Sequence, residues 1–174
     1  MRRGSSVWLH RAVALFATAF LLTVSPNLAD AAGRRGQPAP PFRLFTINGQ
    51  PVSSEGLKGS VVIIDFWATW CPPCRQSLPF LNELHNKYGK QGLQIIGMSV
   101  DEGGERTLKP FVAEQRLTYS IVAAPKPLQE SYGVRALPVL FVLNRQGTVV
   151  EQMLGFSPAH GQLLEQLVKK LLRE

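Results

Sequence analysis

The chain has 174 residues, 45% hydrophobic and 18% charged, a balance that excludes a disordered, collagen-like or multi-spanning membrane protein and fits one globular domain. Lys and Arg outnumber Asp and Glu by 19 to 12. The cations are scattered rather than gathered into a stripe, which argues against nucleic-acid binding and only weakly for anionic partners or a membrane surface.

Residues 1–31 pair a basic start (Arg2, Arg3, Arg11) with an apolar run of 13 residues, Ala12 to Val24, then Pro26 and the small-residue stretch Ala29-Asp30-Ala31. This is the layout of an export signal cleaved before Ala32, because a bilayer-spanning helix needs about 20 apolar residues. An uncleaved anchor is the alternative, and only then would the membrane be a partner. Both readings put the domain in the periplasm or another extracytoplasmic space. The signal carries Arg2, Arg3, Arg11 and Asp30, a net +2, so its removal takes the formal charge from +7 to +5.

Residues 32–41, with the run Gly33 to Pro41, show no hydrophobic period and read as a linker, leaving 42–174 as the folded domain. Phe42 to Ile47 and Gln50 to Val52 flank Asn48-Gly49, which predicts an entry hairpin with a tight turn. Val61 to Trp67 is a nearly continuous β-branched and aromatic run, the pattern of a central strand covered on both faces. From Pro72 the period becomes helical through Cys74, Leu78, Leu81, Leu84 or His85, and Tyr88, until Gly89 or Gly92. Leu93 to Val100 predicts a second parallel strand, and Glu105 to Arg116 a helix with Leu108, Phe111 and Val112 inward. Tyr119 to Val122 reads as a short strand and Leu128 to Tyr132 as a helical turn. Val139 to Leu143 and Val149 to Leu154 form a second hairpin around Asn144 to Gly147. A last helix starts at Ser157-Pro158, with Leu163, Leu164, Leu167, Val168, Leu171 and Leu172 as its buried stripe.

Two cysteines in an exported chain would ordinarily form a structural staple, yet Cys71-Pro72-Pro73-Cys74 sits where a buried strand hands over to a helix. There the helix N-terminus offers partial positive charge to a thiolate at Cys71, and Cys74, one turn on, lies on the same side. A structural disulfide closing so short a loop gains little. Zinc lacks two further ligands, and haem attachment wants His where Arg75 stands. Copper(I) suits two thiolates, but His85 is eleven residues beyond Cys74, roughly 16 Å up the helix. The expectation is therefore a redox pair with no metal and no cofactor. Neither Pro72 nor Pro73 has an N–H to give the Cys71 thiolate, which tilts the pair toward a reductant or a mild exchanger.

Val62-Ile63-Ile64-Asp65-Phe66-Trp67-Ala68 followed by Trp70-Cys71-Pro72-Pro73-Cys74 resembles the active-site stretch of the thioredoxin superfamily, with Pro79 at the family's helix-kinking position. The resemblance runs from about Gln37 to Glu174. It implies an α/β thioredoxin fold: a central mixed sheet flanked by helices, with an N-terminal β-hairpin and a central αβ insertion between Asp101 and Pro127. The export signal, hairpin and insertion resemble most the extracytoplasmic TlpA/ResA-like branch, whose members reduce protein disulfides, often during cytochrome c or cytochrome oxidase assembly.

Carried over by position, Cys71 is the nucleophile, Cys74 the resolving cysteine, and Leu137-Pro138 the cis-proline loop that pairs with substrate backbone. Trp70, Pro72 and Pro73 belong to the docking surface. Asp65 matches the buried acid of thioredoxin, where many extracytoplasmic relatives have Asn. An acid inside an apolar strand has its charged form disfavoured and can take a proton from Cys74 near neutral pH. Glu102 falls where the branch keeps an acid near the active site, against a reading as a solvated loop carboxylate. Ser77 stands where the branch often carries Glu. Met98 and Met153 are expected in the core, and His85 and His160 at the surface.

The implied partners are disulfide-containing exported proteins and a membrane or periplasmic electron donor, with the protein itself a monomer. Alternative readings are a copper or assembly chaperone on the same fold, or a peroxiredoxin-like antioxidant enzyme centred on one peroxidatic cysteine.

Overall fold

A computed structural model describes residues 33–174 of the chain. The predicted signal at 1–31, with its cleavage site, lies outside the described residues. Among the described residues no helix is long and apolar enough to cross a membrane.

The β-branched run forms β3 (Val61–Trp67), every residue of which is buried. It is the middle strand of a five-stranded sheet in the order β5-β4-β3-β6-β7. β4 (Leu93–Ser99) and β5 (Ser120–Ala123) continue it in parallel on one side, and β6 (Val139–Leu143) and β7 (Val149–Leu154) complete it antiparallel on the other. Such a mixed sheet needs cover on both faces. Ile63 and Trp67 belong to the core beneath α1 (Pro72–Tyr88), α2 (Glu105–Glu114) and α4 (Pro158–Arg173). Val62, Ile64 and Phe66 point to the opposite face, where Leu128 of α3 (Lys126–Ser131), Tyr132 and the entry hairpin cover them. The expected thioredoxin fold is thus present, with α2 and β5 as the central αβ insertion.

The hairpin β1 (Arg43–Phe45) and β2 (Pro51–Ser53) is a separate two-stranded sheet. Its strands are shorter than the sequence pattern suggests because the tip is used elsewhere. Ile47 is 4% exposed and donates its N–H to Ile121 O at 2.9 Å, so the turn lies against β5 through a single antiparallel bridge between Thr46 and Val122. The stretch read as a linker also has partners. Gly36 N–H donates to Val149 O and Val149 N–H to Gln37 O, placing residues 36–39 alongside the start of β7. Tyr132 O–H donates to Pro40 O at 2.9 Å and holds the same segment from below.

Candidate active site

Cys71 is the N-cap of α1, in extended backbone conformation, with Pro72 at the first helical position, where its missing N–H leaves no donor unpaired. The Cys74 N–H points back at Cys71 Sγ, 3.3 Å away. The two cysteines are joined as a disulfide with their Cα atoms 5.3 Å apart. Cys74 is fully buried and Cys71 is 4% exposed, so only the outer sulfur is open to a partner. Ser77, also buried, donates its hydroxyl to Cys74 O at 2.8 Å and ties the resolving position into the second turn of the helix.

An open groove of about 620 Å³ runs beside Cys71, lined by Trp70, Pro72, Pro73, Val100, Val134 and Leu137. Gln129 and Arg135 add polar groups to its lining. The Leu137-Pro138 peptide is cis, and Pro138 O accepts from Gly155 N–H at 2.8 Å, which fixes the loop against the end of β7. Trp70 stands 67% exposed at the rim. The sequence-derived set Trp70, Cys71, Pro72, Pro73 and Leu137 therefore meets around one groove. Gln129, Val134 and Arg135 were not foreseen, since only the fold brings the end of α3 to this place.

Asp65 lies between Ile63 and Trp67 on the face covered by α1, and both of its carboxylate oxygens are buried without a hydrogen-bond partner. Burial pushes its carboxyl up from 3.8 to about 7, because the ionised form is denied water. Its neighbour across the parallel pairing is Gly97. A Cβ at Gly97 would come within 3.1 Å of the Tyr119 ring and 3.0 Å of Trp67 Nε1, so these rings close over the position beside the acid. Tyr119 is raised well above its ordinary value, first by burial and then by the Asp65 charge.

Glu102 is exposed on the turn after β4, with its backbone carbonyl accepting from Thr107 Oγ1. The carboxylate that reaches the active-site loop is its neighbour, Asp101. Asp101 Oδ1 accepts from Thr69 Oγ1 at 2.6 Å, and Oδ2 accepts from Thr69 N–H at 2.9 Å and Ser99 Oγ at 2.7 Å. The sequence does hold a signal for this. Trp67 and Ser99 are register partners at the ends of parallel strands, and Thr69 and Asp101 each follow by two residues.

The histidines differ from expectation. His85 is half-buried, its ring against Tyr119, with burial lowering its tendency to protonate, and His160 is half-buried on the first turn of α4. Met98 is fully buried as expected, whereas Met153 is half-buried against the core edge.

The model of the AhpC/TSA family matches residues 35–152. The thiol-disulfide oxidoreductase ResA of Bacillus thuringiensis (strain Al Hakam) is 34% identical over 137 residues, 78% of this chain and 78% of its own length. ResA of Halalkalibacterium halodurans is 30% identical over 177 aligned residues, 99% of this chain and 96% of its own. Among solved structures, a Chlorobium tepidum protein assigned as the thiol:disulfide interchange protein DsbE superposes with a TM-score of 0.75 at 35% identity, covering 80% of this chain and 98% of that one.

Proposed function

The chain belongs to the AhpC/TSA family as a thioredoxin-like thiol-disulfide oxidoreductase, and from that premise we propose that it reduces disulfides of exported proteins, with Cys71 attacking and Cys74 resolving. The observation that carries this reading is the Cys71–Cys74 pair at the mouth of α1, its outer sulfur facing the groove beside cis-Pro138.

In the reduced protein the Cys71 thiolate attacks one sulfur of a substrate disulfide, forming a mixed disulfide and releasing the other sulfur as a thiolate. Cys74 then loses its proton to Asp65, whose raised carboxyl is matched to accept it near neutral pH. The Cys74 thiolate attacks Cys71 Sγ, the second substrate sulfur leaves, and the bonded pair seen here is the product. Two electrons have passed to the substrate, so a membrane or periplasmic dithiol donor must return them. The backbone of the Leu137-Pro138 loop and the Trp70 rim hold the substrate segment in line with Cys71. The basic, apolar start of residues 1–31 supports an extracytoplasmic setting, and the resemblance to the TlpA/ResA-like branch, whose members often act in cytochrome c or oxidase assembly, suggests substrates on that route.

A turbidity assay of insulin reduction with dithiothreitol tests the activity. The wild type is expected to accelerate it and Cys71→Ser to abolish the acceleration. Cys74→Ala should accumulate the mixed disulfide, and recovered partners lacking exported, cysteine-paired proteins would overturn the substrate assignment.

A further inference from the structure

Thr69, two residues before the active-site cysteine, is held by one carboxylate through both its N–H and its hydroxyl. Cys71 N–H donates to Ala68 O at 3.2 Å, closing a turn whose central residues are Thr69 and Trp70. The turn makes no use of Thr69 N–H, and Asp101 takes both that donor and the Thr69 hydroxyl. Asp101 is itself anchored, since its own N–H donates to Ser99 Oγ at 3.0 Å and the buried Ser99 hydroxyl returns a bond to Oδ2. Val100 N–H to Trp67 O, at 2.9 Å, stitches the same two loops one step earlier.

We infer that Asp101 is a positioning residue for disulfide exchange, fixing the Ala68–Cys71 turn so that the Trp70 rim and Cys71 Sγ meet a protein substrate in one orientation. The inference rests on the oxidoreductase reading above and assigns a role to a side chain that touches neither sulfur. Trp70 is mostly exposed, so it is the turn backbone that sets where its ring stands. The ring is one wall of the groove that receives substrate. A carboxylate accepting three charge-assisted hydrogen bonds holds such a turn more rigidly than solvent can, and docked geometry is what an exchange with a folded partner needs.

The test compares a protein disulfide with a small one in the full-length chain. For Asp101→Ala, KM for insulin should rise about tenfold, while attack on dithionitrobenzoate, which needs no rim, should slow less than about twofold. Thr69→Ala should show the same split, the double variant should be no worse than the worse single one, and Thr69→Ser should restore wild-type kinetics. Should Asp101→Ala not fold, Asp101→Asn and Thr69→Ala carry the comparison. Unchanged insulin kinetics, equal slowing on both substrates, or multiplying single effects would each overturn the inference. A wild type inert toward insulin would instead overturn the oxidoreductase reading, so the two failures are distinguishable.

Discussion

Cys71 caps α1 with one backbone donor, the Cys74 N–H, because prolines occupy the two positions between them. An N-cap side chain ordinarily accepts from the second or third helical N–H, and here Pro73 removes the first of these options. A donor to Cys71 Sγ stabilises a thiolate there, a form open to the reduced protein and not to the disulfide, so a missing donor disfavours the reduced state selectively. Pro73→Ala returns that donor without removing the helix-compatible Pro72. One hydrogen bond to a charged group contributes about 1.5 kcal/mol, which for a two-electron couple is about 30 mV. Equilibration against a glutathione buffer should therefore give the variant a potential higher by about that amount, and an unchanged or lower value would count against Cys71 as the thiolate that the helix stabilises.

The elements of the sheet show what periodicity can and cannot carry. β3, β4 and β6 were legible because strands buried on both faces leave uninterrupted apolar runs, and α1 because its inward residues repeat at helical spacing from Cys74 to Tyr88. The apolar pattern puts Ile47 in the hairpin strand, whereas it is buried against β5, because that burial depends on a contact with Ile121, far away in the chain. The docking of residues 36–39 on β7 is likewise a pairing of backbones, to which Gly, Gln and Pro side chains contribute no pattern. At the site, Cys71, Cys74 and Pro138 were legible as local motifs, whereas Asp101 needed the register of two strands. Gly97 on β4 belongs with these non-local cases. It reads as a weak point in a strand, yet a Cβ there would meet Ile121 Cδ1 at 2.6 Å as well as Trp67 and Tyr119. All three neighbours are buried, so little room exists for them to shift. Gly97→Ala should lose about 1–3 kcal/mol by overpacking, read as a lower urea midpoint with the slope unchanged.

At the scale of the whole molecule, the fold carries a fully buried acid in the strand at the centre of its sheet, and stability must vary with pH because of it. Asp65 ionises near 3.8 in the unfolded chain and near 7 in the folded one. Between those values the unfolded state has released a proton that the folded state retains, so raising the pH favours unfolding. The contribution of the neutral acid is fully present below about pH 4, falls through the interval, and is gone above about pH 7, a change on the order of 4 kcal/mol from the linkage of pKa to free energy. Asp65→Asn removes the titration and keeps nearly the shape of the protonated acid, including its lack of hydrogen-bond partners. Urea denaturation of the oxidised protein should find the variant close to wild type at pH 4 and more stable by several kcal/mol, about the same order, at pH 8. If Asp65 receives the Cys74 proton, the same substitution should slow release of the mixed disulfide around pH 7 and flatten its pH profile. Parallel stability curves across pH 4 to 8 would mean that Asp65 reaches water in the folded protein and is not held neutral there. In thermodynamic terms an acid buried at this place costs the fold stability as the pH rises toward about 7, which is why the stability curve, read beside the exchange kinetics, reports on this one side chain.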